Sequence, residues 1–272
     1  MTWLQSIIIA IVEGVTEFLP ISSTAHMIFT SSLMHIQSDE FVKMYEVSIQ
    51  FGAILAVVFL YWRKFFDFSK WQFYVKLAFA VVPALVLGYL LNDAIDEILE
   101  KPLPIAIVMI LGGVVLLFVD NWFKNPKIEK EEQIKIPKAV VIGLWQCLAL
   151  MPGMSRAAAS IIGGMQQKLT RKVATDFAFY LAVPTMLAVT VYSIFLKHWG
   201  INGVETKGYK FLLSSKENMM MFAVGNVTAF VVAVIAIKFF LSFLKKYGFR
   251  FWGYYRIVIG LFIMTLIYMK VI

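Results

Sequence analysis

Glu13-Gly-Val-Thr-Glu17-Phe-Leu-Pro20-Ile-Ser22-Ser23-Thr24-Ala-His26 is the stretch on which the reading of this 272-residue chain turns. Its surroundings are apolar. A carboxylate in such a setting is costly and marks a functional site by default, with a partner to be found. Two occur, Glu13 and Glu17, one turn apart on the same helical face. Pro20 lacks an N–H and ends the helix. Ser22 and Ser23 are suited to capping a second helix, whose first turn offers free N–H groups. His26, three residues beyond Ser23, faces the same side. Any one of these residues alone would fit a structural role, as a snorkelling Glu or a Ser bonded to backbone. Two acids, three hydroxyls and an imidazole at one helix break favour a site for a metal ion and a phosphate.

The rest of the chain reads as a membrane protein. It is 60% hydrophobic and 15% charged, with a mean hydropathy of +0.78, against about 25% charged residues in soluble domains. The net charge of +8 is no signal for nucleic acid, because the basic residues sit in short loops between apolar runs. Cys147 is the one cysteine, so an intrachain disulfide is impossible and a cysteine metal site implausible. Residues 3–12 lack a basic leader and a cleavage site, and are read as mature structure rather than a removable signal.

Residues 3–19 make a helix of about 25 Å and pair with 22–36 as a broken, re-entrant unit. Such backbone is tolerated at membrane depth only under cover of protein or water. Spans follow at 41–62, 73–91 and 103–119; Glu46 and Gln50 in the first of them are placed to face the acids. Residues 120–138 form a polar, solvated linker. The opening pattern then returns. A helix from 139 ends at Met151-Pro152-Gly153, and Ser155-Arg156-Ala-Ala-Ala-Ser160 starts another, so that 139–165 is a second re-entrant pair. Setting Pro152 on Pro20 places Ser155 on Ser23, and Glu46 has a counterpart in Asp176. Spans at 173–196, 219–244 and 254–271 complete the second half.

Charges orient this layout. The 63–76 loop, the 120–138 linker, the Lys168/Arg171/Lys172 loop and the Lys245/Lys246/Arg250/Arg256 loop should be cytoplasmic and the acidic 92–101 loop outside, which puts 197–217 outside as well, although its own charge is slightly positive. Three crossings plus a returning hairpin per half invert the second half relative to the first. The expected fold is therefore all-α and polytopic, with two inverted-topology repeats, 1–119 and 139–272. Their broken helices meet near the midplane. Arg156, at the second break, supplies the bidentate phosphate ligand and a partner for Glu13 or Glu17.

With these motifs in place the chain resembles the undecaprenyl-diphosphate phosphatases, the bacitracin-resistance proteins, over nearly its whole length. The likeness is carried by the Glu13 to His26 stretch and by Pro152-Gly-x-Ser155-Arg156, with lesser matches at Glu46-Val-x-Ile-Gln50 and Leu181-Ala-Val-Pro184. It implies an integral enzyme of the bacterial plasma membrane. Such an enzyme removes the terminal phosphate of a C55 polyprenyl diphosphate, regenerating the carrier lipid for peptidoglycan synthesis. Its site opens to the outer face and needs a divalent cation (Mg2+ or Ca2+). By the same resemblance Glu13 and Glu17 are the acidic motif, Ser22, Ser23, Thr24 and His26 the hydroxyl and imidazole cluster, and Ser155 and Arg156 the phosphate loop. Ala157 stands where the family often has Ser, and Ser160 where Thr is common, so Ala157 receives no contact.

Chemistry and resemblance agree in outline. Glu17 with Glu13 would hold the cation, and Arg156 with the two helix N-termini would clamp the phosphate, aided by Ser22, Thr24, Ser155 and Ser160. Ser23 activated by His26 is favoured as nucleophile over a bound water. A lipid or ion transporter of inverted-repeat design is the alternative, but it has no use for a nucleophile. A serine protease leaves Glu13, Glu17 and Arg156 without a purpose, and His26, His35 and His198 do not make the histidine motifs of phosphatidate phosphatases. The partners expected are the bilayer and the lipid substrate, with no nucleic acid; whether the chain works as a homodimer is left open.

Overall fold

A computed structural model describes residues 1–201 and 204–272. Thr2 caps the first helix, α1 (Trp3–Thr16), accepting from Gln5 N while Gln5 Oε1 accepts from Thr2 N at 2.7 Å. The chain breaks over Glu17–Ile21 and returns as α2 (Ser23–Leu33). Met1 and Asp39 lie 3.8 Å apart, so this hairpin begins and ends on one face. Six helices among the described residues are long and apolar enough to cross a membrane: α3 (Glu40–Leu60), α4 (Trp71–Leu90), α6 (Pro102–Trp122), α9 (Arg171–Leu196), α10 (Lys216–Tyr247) and α11 (Arg250–Tyr268). Between α4 and α6 lies the short helix α5 (Asn92–Leu99), which has no buried residue. The second broken pair is α7 (Ile136–Gln146) and α8 (Arg156–Gln166), which leaves from and returns to the opposite face, where Lys138 Nζ donates to Gln167 O at 2.9 Å.

Close packing uses small residues, because apolar surface gains nothing from helix association in lipid. Helix α6 crosses α11 where Gly113 meets Gly253: a Cβ on Gly253 would sit 2.7 Å from the Gly113 carbonyl oxygen. Leu111, Ile235 and Val258 point outward and stay exposed, the surface that hydrocarbon would cover.

Two parts of the chain differ from expectation. Residues 120–138 are polar but not free. Ile134 is buried, Ile128 bridges to Leu169, and Glu131 pairs with Lys64 while Lys76 donates to its carbonyl. Two isoleucines among the charges anchor the segment to the basic face. The loop after α9 contains an antiparallel hairpin, β1 (His198–Ile201) and β2 (Val204–Lys207), pinned by buried Trp199, whose Nε1 donates to Ser193 O at 2.9 Å.

Gly253→Ala should lower the unfolding midpoint in detergent by several degrees, the effect of about 1–3 kcal/mol of overpacking. Gly200→Ala is the control, since nothing lies within 4 Å of a Cβ there. Equal midpoints for the two variants would mean that the α6–α11 contact is slack.

Candidate active site

The two breaks meet tip to tip. Ser155 Oγ donates to Leu19 O at 3.4 Å, and Arg156 reaches across to Glu17. Both turns leave carbonyls that no helix can satisfy, which inside a membrane must be met by protein. Arg256 meets them. Its Nη1 donates to Pro20 O at 3.2 Å and Met154 O at 2.9 Å, its Nη2 to Gly153 O at 2.7 Å and its Nε to Met109 O at 3.0 Å. The side chain is fully buried, and Gly112 leaves room for it, since a Cβ there would collide with the guanidinium. Arg256 therefore does not belong to a cytoplasmic loop. It is carried inward on the second turn of α11, and counting it with Lys245, Lys246 and Arg250 missed its direction.

Ser22 and Ser155 cap α2 and α8 with the same unusual backbone, φ 71° and 74°, and each accepts from the N–H three residues on. Positive φ on a non-glycine residue costs about 1–3 kcal/mol and persists only where its surroundings impose it. The matched caps put Ser155 in register with Ser22, not with Ser23 as the prolines suggest, and Arg156 in register with Ser23. The caps leave the first N–H groups of both helices free to hold an anion.

Around these tips the carboxylates are arranged by depth. Glu17 accepts from Arg156 through Oε1 and from Ser23 Oγ through Oε2. Glu13, one turn further into α1, is fully buried, and neither of its oxygens has a hydrogen-bond partner among the described residues. Glu17, Arg156 and Glu46 are the charges that act on it. Two bare oxygens beside a second carboxylate fit a hard cation. No group of three or more acid, His or Cys ligands occurs among the described residues. Phosphate oxygens would have to complete such a coordination shell.

His26 is not paired with Ser23. Its Nδ1 lies 2.8 Å from Ser22 O and its Nε2 3.0 Å from Tyr255 Oη, with the two rings stacked 9° from parallel. Ser160 is also elsewhere: it is fully buried, and its hydroxyl donates to Gln146, which in turn donates to Thr185. One helical turn carries it away from the tip. The structure thus gathers Glu17, Ser22, Ser23, Thr24, Ser155 and Arg156 on the wall of one cavity of about 450 Å3. Glu13 lies behind this wall and His26 to its side. Leu85, Gly88, Leu150 and Val189 make an apolar flank. Tyr255 and Arg256 escaped the sequence reading; the signal for Arg256 was a charge several residues inside an apolar helix.

Residues 6–262 match the family described as Bacitracin resistance protein BacA. An undecaprenyl-diphosphatase of Flavobacterium johnsoniae is 46% identical over 267 residues, covering 98% of this chain and 96% of its own. Proteins of the same name from Porphyromonas gingivalis and Aquifex aeolicus are 46% and 39% identical, covering 96% of this chain in each case and 95% and 97% of their own.

Replacing Arg256 by Gln should cost more stability than any exposed charge change, since each orphaned buried carbonyl costs about 1–3 kcal/mol. Thermal unfolding in detergent should shift down by many degrees for Arg256→Gln and hardly at all for exposed Arg250→Gln. Matching curves would deny Arg256 its part in joining the breaks.

Proposed function

The chain belongs to the bacitracin resistance protein BacA family, and from that premise we propose that it is an undecaprenyl-diphosphatase, a multi-pass membrane hydrolase that converts undecaprenyl diphosphate to undecaprenyl phosphate and inorganic phosphate. The observation that carries this reading is the contact of Ser23 and Arg156 with one carboxylate, Glu17, between two capped helix starts at the end of a cavity with an apolar flank. A nucleophile, a proton acceptor and an anion clamp are what phosphoryl transfer needs, and a prenyl chain needs the apolar side.

The resting Glu17–Arg156 pair is where the terminal phosphate binds. Its oxygens draw the guanidinium away from Glu17, and the free N–H groups of α2 and α8, with Thr24, complete the clamp. Ser23 Oγ then bonds to the terminal phosphorus as the bond to the bridging oxygen breaks, and the leaving lipid phosphate keeps the electron pair. The Ser23 proton passes to Glu17, which already accepts its hydrogen bond; this assigns to Glu17 the role first given to His26. Water cleaves the phosphoserine and frees inorganic phosphate. His26 holds the Ser22 carbonyl and so steadies the cap. Glu13 and Glu17 would hold a divalent cation, Mg2+ or Ca2+, which when bound neutralises charge on the diphosphate oxygens.

Residues 1–119 and 139–272 form inverted repeats in this reading. It is supported by the matched Ser22 and Ser155 caps and by hairpins that return to opposite faces. Lys64, Lys76, Lys138 and Arg171 gather on one face, and α5 with Asp93, Asp96 and Glu97 on the other. The first face is cytoplasmic by the excess of basic residues, and the cavity opens outward beside α5.

Purified protein should release phosphate from the C55 diphosphate in a cation-dependent way. Glu17→Gln and Ser23→Ala should each lose roughly 10²–10⁴-fold, and rapidly quenched wild type should contain phosphoserine at position 23. An active Ser23→Ala enzyme without any phosphopeptide would hand the attack to water. On a Cys147→Ser background, cysteines placed at 93 or 97 should react with an impermeant reagent added outside intact cells, and cysteines at 67 or 69 should not. The reverse pattern would turn the protein over.

A further inference from the structure

The cavity has a second polar end that hydrolysis leaves unused. Glu17 and Arg156 sit at the two helix breaks, whereas Asn92 and Lys197 lie where spans α4 and α9 terminate, and all four line the same space. Helix α9 closes with a π-turn over Tyr192–Leu196, in which Lys197 N donates to Tyr192 O at 2.8 Å. Such wide turns recur at functional sites. Ser193 and Lys197 both line the cavity here, and Trp199 touches each of them: its Nε1 donates to the Ser193 carbonyl, and Lys197 Nζ lies 4.5 Å over its ring. Ser193 lines the cavity and is buried, and its hydroxyl has no partner among the described residues. Lys197 Nζ and Asn92 Nδ2 both donate to Asp96 Oδ2, at 2.5 and 3.4 Å, and Asn92 Nδ2 donates also to Asp93 Oδ1 at 3.2 Å.

We infer that Lys197, Asn92 and Ser193 form a second oxyanion site at the mouth of the cavity, which takes the inorganic phosphate released at Arg156 before it leaves the protein. The site rests on the hydrolase reading above. Asp96 holds the two donors in the position that a phosphate oxygen would take, and the ion competes with it. Helix α5 beside the mouth also carries Asp93 and Glu97, neither of which lines the cavity. Glu97 is satisfied by Lys101 at 2.6 Å, a bond that holds its carboxyl below the ordinary range. An acidic rim keeps phosphate affinity low, as release to the outside requires.

The test is inhibition of the full-length enzyme by added inorganic phosphate, with turnover followed as lipid product. Lys197→Met should raise the inhibition constant about tenfold and Ser193→Ala a few-fold. Asp96→Asn should lower it, because it removes the competitor, and single-turnover rates should stay within twofold of wild type throughout. A simple structural clip predicts the same direction for Lys197→Met and Asp96→Asn, since each breaks the pair. That result, or unchanged inhibition in both, overturns the site. A raised KM for the lipid with phosphate inhibition intact would also overturn it, giving Lys197 to the substrate's phosphate instead. Should Lys197→Met fail to fold, Ser193→Ala and Asp96→Asn still carry the opposite signs. Should wild type hydrolyse nothing, the hydrolase reading fails, and equilibrium binding of inorganic phosphate by the same variants decides the site separately.

Discussion

A buried guanidinium holding four carbonyl oxygens is the interaction on which this architecture depends. Two helices stop at buried turns, and every peptide group released there and shut off from water has to be bonded by protein. Arg256 does this for Pro20, Gly153 and Met154 at once, while its Nε donates to the Met109 carbonyl inside α6. Arg suits the position because its donors form a planar fork and it stays charged when desolvated. A buried cation with only dipoles around it is costly, so the protein has reason to keep it beside a place where anions bind. The clamp that closes the backbone thereby also adds positive potential behind the two helix starts.

The reactive groups follow from that arrangement. Once both tips are held, Ser22 and Ser155 can sustain a backbone that neither would adopt alone, and the residue after each cap is presented to the cavity. In one half that residue is Ser23 and in the other Arg156. Glu17 binds both, and in the proposed mechanism this carboxylate in the fork of Arg156 holds the place that the phosphate takes. Exchange of one anion for another leaves the desolvation of the guanidinium nearly unchanged, which keeps substrate binding from having to dehydrate a free charge.

Much of this was legible in residues 13–26 and 151–156, because the price of intramembrane charge and the stereochemistry of proline act locally. The six spans were legible in hydropathy for the same reason. What escaped depends on distant parts of the chain. Tyr255 takes the imidazole of His26 from 229 positions away, and no spacing rule couples the two. Arg256 was hidden by a rule that counts charges near span ends without asking which way the helix runs. The register of the breaks was read from Pro20 and Pro152, yet the feature the two share is the cap conformation, and the turns differ by one residue. Ser160 looked like a ligand in sequence because its type matched. One helical turn and the amide of Gln146 remove it.

The bond from Arg256 to Pro20 also says something about time. These residues stand 236 positions apart, and ribosomes add about 5–20 residues per second. The first break is therefore made on the order of tens of seconds before the side chain that satisfies it exists. During that interval the Pro20 carbonyl has to find its hydrogen bonds in water or in another protein, and the turn takes its final bonding only when the last helix arrives. The site at the beginning of the chain is completed by its end.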